Sequence, residues 1–430
     1  VFLGMLMYQK WQEDYAPTPS TETTASQTTS AASNGAVPSP TAAVPEPATA
    51  SSGQNDVPVA AQAAKPDGPT ISGAENKLPT DKRIHVRTDV LDVMIDTIGG
   101  DIRQADLVKF PEEIDKPEQP FRLMTDQGAK LFVAQSGFAM AKGKGPSHEA
   151  IFTADQTEYR LAEGKDSVEV ALTWSDDSGV QVIKTYTFRR GNYLVDMDVK
   201  VVNNSPADWQ GSFYHQQQRT QYGQETQSMF MMQTYMGGVI YTPEELYEKI
   251  SFSDMAEQNL NRQNIKGGWL SMMQHYFLAA WIPAADSVNN FYSRVINYRY
   301  YLGMISPLDT VASGQQKTYS SGFYVGPKNQ NVLKDITPGL ELTVDYGFLT
   351  VIAKPLFWLL DNLNKVFNNW GWSIIFLTII IKLVFYKLSE ASYRSMANMR
   401  KMQPKMQALK ERYGDDKQKM NQALICLLYT

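Results

Sequence analysis

A single cysteine, Cys426, in 430 residues rules out an intramolecular disulfide and any metal site built on several thiolates. The fold must rest on packing. Histidine is nearly as scarce: His85, His148, His215 and His275 stand singly, with no recognisable catalytic motif around any of them. No glycine-rich phosphate loop, nucleophile elbow or metal-ligand cluster is visible. No cofactor or metal is therefore expected, and enzymatic chemistry has no evident home. Gly237-Gly238 and Gly267-Gly268 read as turns.

Aromatic residues are missing from the whole stretch 16–80, where Ala, Thr, Ser and Pro dominate. Nothing there offsets the entropy of ordering a backbone, and the stretch reads as a disordered tether. Before it, Val1-Phe-Leu-Gly-Met-Leu-Met-Tyr8 is an apolar run without an initiator Met, followed by Trp11 and Tyr15. Eight residues fall short of the about 20 needed to span a bilayer. Residues 1–15 are expected to be the outer end of a truncated first transmembrane helix with an interfacial aromatic belt, the other reading being a buried strand.

From about residue 81 to 340 the pattern changes to short alternating or β-branched runs separated by turn signals. Val86–Ile98 ends at Gly99-Gly100, Val168–Trp174 precedes Ser175-Asp-Asp-Ser-Gly179, and Thr185–Phe188 leads through Arg190-Gly-Asn192 into Tyr193–Val202. Many strands without intervening long helices predict a large antiparallel sandwich. Thr242-Pro-Glu-Glu-Leu-Tyr-Glu248, with an N-cap Thr, Pro at the first position and early acids, predicts a short helix on the sheets.

Residues 346–369 read as an amphipathic helix. Leu349, Ile352, Leu356, Leu359, Leu363 and Phe367 share one face, and Lys354, Asp361, Lys365 and Asn368 the other, with Pro355 placed to bend it. Its charged face suits the membrane interface rather than a span, although a soluble surface helix has the same pattern. Next, Trp370-Gly-Trp372 opens the apolar run Ser373–Tyr386, interrupted by two polar positions, Thr378 and Lys382, and closed by Lys387. This reaches the lower limit of about 17 residues for a transmembrane helix, which is expected over 370–388.

Charge orients it. Residues 382–420 hold ten Lys/Arg against four acids, a net +6 in a chain of net −5, which leaves −11 for the rest. The positive-inside rule then places the acidic region 16–345 outside and residues 389–430 in the cytoplasm. Thr378 and Lys382, four apart, share a face of the span. The amine of Lys382 either snorkels to the cytoplasmic headgroups or faces a water-filled cavity, the default functional reading of an intramembrane cation.

Residues 389–430 read as a helical hairpin. Met396, Met399, Met406 and Leu409 form an apolar seam among basic residues that include Arg400 and Arg412. Gly414 ends the first arm, Asp415 or Asp416 caps a second carrying Met420 and Leu424, and Pro404 is placed to kink the first. Methionine adapts to varied partners but equally packs a hairpin onto itself. The basic face suits anionic lipid, or ribosomal RNA without sequence specificity, so no specific nucleic acid is expected.

These residues together resemble the YidC insertase family of Gram-negative bacteria. The resemblance rests on Asp345-Tyr-Gly347, Pro355-Leu-Phe357, Asn369-Trp-Gly-Trp-Ser-Ile-Ile375, Gln403-Pro-Lys405 and Glu411-Arg-Tyr-Gly-Asp-Asp-Lys-Gln418. In the large middle region Gly99-Gly-Asp101, Lys266-Gly-Gly-Trp269, Gln274-His-Tyr-Phe277 and Tyr324-Val-Gly-Pro327 add to it. It implies a mixed membrane protein: a large all-β periplasmic supersandwich, then an interfacial helix, a transmembrane helix and a cytoplasmic helical hairpin. It also implies a non-enzymatic insertase in which a cytoplasm-open groove receives hydrophilic parts of client membrane proteins. Lys382 takes the place of the groove's positive charge, usually Arg, with Thr378 one turn away. The implied partners are client proteins, the Sec translocon and its accessory proteins, and membrane lipid, with the ribosome or signal recognition components as further candidates. The ending Ile425-Cys-Leu-Leu-Tyr-Thr430 departs from the family, so the chain is read as a fragment of it.

Two rivals stay open. A carbohydrate-binding or mutarotase-like domain on a membrane tether would need a paired acid and base aimed at one ring. A tethered scaffold that binds Sec components would need only the outer domain.

Overall fold

The computed structural model describes residues 78–140, 145–222, 235–344, 350–413 and residue 425. The expected membrane end over 1–15, nearly all of the tether, Gly414, Asp415, Asp416 and the second arm of the hairpin lie outside the described residues. The last residues of the tether are tied to the fold: Leu78 packs with Leu131 and Val133, and the Thr80 hydroxyl donates to Asp96 at 2.5 Å.

Among the described residues twenty strands follow. They are β1 (Arg83–Arg87), β2 (Leu91–Asp96), β3 (Asp101–Pro111), β4 (Pro120–Met124), β5 (Phe132–Met140), β6 (Thr153–Ala154), β7 (Glu158–Arg160), β8 (Ser167–Ser175), β9 (Val180–Arg189) and β10 (Leu194–Asn203). The second half comprises β11 (Trp209–Thr220), β12 (Gly237–Thr242), β13 (Leu246–Ile250), β14 (Asn261–Lys266), β15 (Trp269–Met273), β16 (Phe277–Pro283), β17 (Val288–Ile296), β18 (Arg299–Ile305), β19 (Asp309–Val311) and β20 (Gln316–Pro327). They form two sheets. The first, of 11 strands, has the order β14-β17-β18-β11-β5-β3-β2-β1-β7, with β19 on β11 and β4 on β3; the second, of nine, runs β13-β12-β15-β16-β20-β10-β9-β8-β6. Pairing is antiparallel throughout except between β1 and β7.

Strict alternation makes this a sandwich. In β10 the buried side chains are Val195, Met197, Val199 and Val201, every second residue, and the neighbouring β9 buries Val180, Val182, Tyr186 and Phe188 in the same way. They share one continuous apolar cluster with Val93, Ile95, Ile102, Phe138 and Leu302 of the first sheet. Arg190-Gly191-Asn192 turns β9 into β10 as the sequence predicts, with Val195 opposite Phe188.

Lys184 and His215 are two of the polar groups buried between the sheets. Lys184 occupies a core-facing position of β9 and is fully buried. Its ammonium donates to the carbonyls of Gly99 at 2.6 Å and Ser136 at 2.7 Å and to the Ser136 hydroxyl at 3.0 Å, tying the second sheet to the first. Burial pulls its pKa down to about 8, opposed by the nearby Asp101 carboxylate. On β11, His215 is buried against Phe213 and Trp281, with Nε2 3.0 Å from the Ser321 hydroxyl of β20. Burial, reinforced by the charge of Lys184, lowers its pKa to about 3.

Three local expectations are corrected. The run Val86–Ile98 is two strands, because the Thr88 hydroxyl accepts from the amides of Val90 and Leu91 and closes a turn between β1 and β2. The helix expected over 242–248 is a hairpin turn. Thr242 caps a single turn by accepting from Glu245 N, Leu246 takes φ 60°, and Tyr247 and Ile250 then pair back onto Tyr241 and Gly238. The helix of this region, α1 (Phe252–Glu257), comes next, opened by a capping box between Ser251 and Asp254. Gly237-Gly238 lies inside β12 rather than in a turn; a Cβ on Gly238 would fall 2.3 Å from Met255 of α1. Gly267 and Gly268, at φ 73° and 83°, do form the turn between β14 and β15. After β20 come α2 (Gln330–Ile336) and a short 3-10 helix, Leu340–Thr343, whose Leu333 and Leu340 join Trp269 and Tyr324 in a second apolar cluster.

The state of His215 gives stability a pH dependence. An unfolded chain takes up the imidazole proton near pH 6.5, the folded one only near pH 3, so the unfolded state holds the extra proton between these values. Its contribution is complete above pH 6.5 and is lost as pH falls, by about 2 kcal/mol at pH 5. Urea unfolding at pH 7 and pH 5 is expected to show this loss in the wild type and a smaller one in His215→Gln. Equal losses in the two proteins would remove the assignment.

Candidate functional site

Among the described residues three helices follow the β domain: α3 (Thr350–Phe367), α4 (Trp370–Val384) and α5 (Tyr386–Tyr413). Helical periodicity makes α3 amphipathic as expected: Leu356, Leu359 and Leu363 form a half-buried stripe, while Lys365 and Asp361 pair at 2.9 Å one turn apart. Pro355 falls inside α3 and withholds one amide from its hydrogen-bond ladder.

Asn368 and Asn369 separate α3 from α4. Asn368 takes φ 52°, in the left-handed region that Asn tolerates, and the Asn369 side chain caps α4 by accepting from the amides of Gly371 and Trp372. The two helices pack as a corner in which Phe367 stacks on Phe376 at 4.5 Å. Ser373, the one fully buried side chain of α4, donates to Asn369 O at 2.8 Å and holds the cap. The Asn-Asn hinge was passed over in the sequence, although an N-cap asparagine directly before an apolar run is a legible signal.

The apolar run after Trp370 does not continue as one helix to residue 388. It breaks at Phe385, and α4 meets α5 at 63°. No single helix among the described residues is long and apolar enough to cross a membrane; by length and composition this bent pair is. At 1.5 Å per residue the 15 residues of α4 extend for about 22 Å, short of a hydrocarbon core of about 30 Å. The first arm of the expected hairpin therefore begins at Tyr386, earlier than Ser389.

Thr378 and Lys382 share an exposed face of α4, as their spacing requires. The Thr378 hydroxyl donates back to Ile374 O at 2.8 Å and so spends its hydrogen within its own helix. Lys382 lies in the last turn, where a cation complements the helix dipole. Around them Trp370, Trp372, Ile374, Ile375, Ile379, Leu383, Val384 and Phe385 are all exposed, and in α5 Leu388, Tyr393, Met396 and Met399 continue the apolar surface. The basic residues of α5 begin at once: Lys387 and Arg394 flank Glu390 at 3.5 and 3.1 Å, and Arg400 is exposed. Pro404 falls inside a helix that runs unbroken to Tyr413, and Arg412 lies in its last turn.

The four histidines lie apart. His85 of β1 bridges Asp92 of β2 at 2.7 Å and Glu158 of β7 at 3.2 Å, His148 meets the Tyr214 hydroxyl at 2.5 Å, His215 is in the core, and His275 rests on Tyr276. Among the described residues no group of three or more His, Cys, Asp or Glu is placed to hold a metal ion.

Two family models match the chain: the YidC periplasmic domain over residues 83–359 and the 60Kd inner membrane protein family over residues 362–429. Among curated proteins, the membrane protein insertase YidC of Methylococcus capsulatus is 51% identical over 80% of this chain and 63% of its own length. That of Thioalkalivibrio sulfidiphilus is 50% identical over 81% of this chain and 63% of its own. The chain thus spans somewhat under two thirds of the relatives it matches. Among solved structures, a galactose mutarotase-like protein from Lactobacillus casei aligns with TM-score 0.40 at 9% identity, over 56% of this chain and 99% of that one. The crystal structure of an active YidC insertase aligns with TM-score 0.31 at 16% identity, over 80% of this chain and 65% of that one. With the periplasmic-domain family covering most of its length, the chain belongs to the YidC family of inner-membrane proteins.

Proposed function

We propose that the chain is the amino-terminal part of a non-enzymatic membrane protein insertase, in which α3 lies at the outer interface, α4 and the start of α5 cross the inner membrane, and the rest of α5 enters the cytoplasm. The observation that carries this reading is the surface of α4: eight large apolar side chains are exposed around one cation, Lys382. Monomeric proteins in water rarely tolerate so large an apolar patch, whereas lipid or further membrane helices accept it. The tryptophans at one end and the lysines at the other give it the polarity of a span with a basic cytoplasmic side.

Within that frame Lys382 is the group that meets the client. A lone ammonium on an apolar helix is tolerated when it faces water, and a groove open to the cytoplasm supplies that water. Hydrophilic stretches of a client then trade bulk water for a groove with a positive charge, which lowers the cost of moving them into the bilayer. Thr378, one turn along the same face, lines the groove but has its hydroxyl hydrogen engaged, so it contributes an acceptor at most. Met396 and Met399 offer deformable apolar contact for clients, and Arg400 and Arg412 meet anionic lipid or the ribosome. Action alone, or with the Sec translocon and its accessory proteins through the periplasmic domain, belongs to the same proposal.

In the full-length protein, Lys382→Ala is expected to lower insertion of a reporter client on the order of tenfold, equal to about 1.4 kcal/mol. Lys382→Arg is expected to restore it, because position and charge matter more than the donor fork. Full insertion by the Ala variant in a depletion strain would remove Lys382 from the groove. Cysteines introduced at Gln330 and Arg394, challenged with a membrane-impermeant maleimide on intact cells, are expected to label at Gln330 alone. Labelling at Arg394 would overturn the orientation.

A further inference from the structure

The β domain holds a cavity of about 440 Å³ where β3, β4, β5 and β11 come together, of a size that suits a small ligand. Its lining includes Phe132, Lys130, Arg219 and Tyr222, with Glu112 and Glu118 from the chain between β3 and β4. Arg219 is fully buried at its floor. One terminal nitrogen donates to Met273 O at 3.2 Å and the other to the Tyr222 hydroxyl at 3.4 Å, while Nε has no partner. The guanidinium lies 4.8 Å from the Phe132 ring and 5.4 Å from that of Tyr222. Among the described residues no carboxylate pairs with it. A buried cation without an acid is unusual, because ring faces and a carbonyl offset only part of the lost hydration.

The other charges of the cavity are differently placed. Asp106 takes two hydrogen bonds from Arg122, at 2.8 and 2.9 Å, which neutralises both. Lys130 sits 5.5 Å above the Tyr222 ring, so the ring is flanked by two cations, Lys130 and Arg219. Tyr222 is held in place by donating to Gln274 at 2.8 Å. Glu112 and Glu118 bring the total to three acids and three bases, which disfavours a multiply charged anion such as phosphate. Pro120 and Leu123 add apolar wall.

We propose that this cavity binds a single carboxylate carried on an apolar body, drawn in by Lys130 and Arg219 and packed against Leu123 and Pro120. The carboxylate is supplied either by a small organic acid or by the C-terminus of a peptide, and the site is independent of how the helices meet the membrane. Calorimetric titration of the full chain in detergent micelles tests it, with 3-phenylpropionate and its amide as one pair of probes and the tripeptide Gly-Gly-Phe with a free or amidated C-terminus as the other. The acid of at least one pair is expected to bind about tenfold more tightly than its amide, the size of one charge-assisted contact. Lys130→Gln, an exposed change that leaves the fold intact, is expected to lose most of that preference, and Arg219→Met all of it. Preference within the phenylpropionate pair alone identifies small acids as the source; preference within both pairs identifies peptide termini. Equal binding of acid and amide, or none by any probe at millimolar concentration, overturns the proposal and leaves Arg219 as a structural pillar between two rings.

Discussion

The burial of two inner sheet faces against each other is the interaction on which the rest of the β domain depends, and it is fixed by period-two alternation. A one-residue slip in β9 or β10 would turn Val182, Tyr186, Val195 and Met197 outward and bring polar residues in. Lys184 sharpens this constraint. Its ammonium is satisfied only where the Gly99 and Ser136 carbonyls converge, so any other register leaves a charge buried without acceptors. The same two sheets bury Arg219 beside a cavity and His215 beside Ser321, which sets the chemistry of each.

The helical part obeys the opposite rule. In the β domain large apolar side chains lie inside and polar ones outside, whereas α4 exposes isoleucines, tryptophans and leucine and buries only Ser373. Two hydrogen-bonding devices make this arrangement well defined: the Asn369 cap that sets the corner with α3, and the break at Phe385 that turns α5 away by 63°. Both lie at the ends of the apolar segment, where Asn369 satisfies the first amides and the Phe385 amide donates to Ile381 O, and they leave the middle fully helical.

The family relation joins the two halves. The periplasmic-domain match runs over the sheets and into α3, and the inner-membrane match takes over within α3. The two matches thus meet within a helix that carries both an apolar stripe and an ion pair on its surface.

By itself the sequence determined whatever depends on local order: the alternation that makes β9 and β10, the turn at Gly191, the amphipathicity of α3, the apolar run after Trp370 and the basic stretch after Lys382. These are legible because neighbouring residues carry the signal. The hairpin at Thr242 and the split at Thr88 are not legible there, since each is decided by a capping hydroxyl rather than by composition, and the break at Phe385, closed by backbone bonds alone, leaves no mark in composition either. Only the tertiary structure placed Lys184 beside Gly99 and Ser136, and Arg219 between Phe132 and Tyr222 with no acid paired to it among the described residues. Those groups come from distant segments, and the state of a buried charge depends on which carbonyls, rings and carboxylates the fold brings within a few ångströms of it.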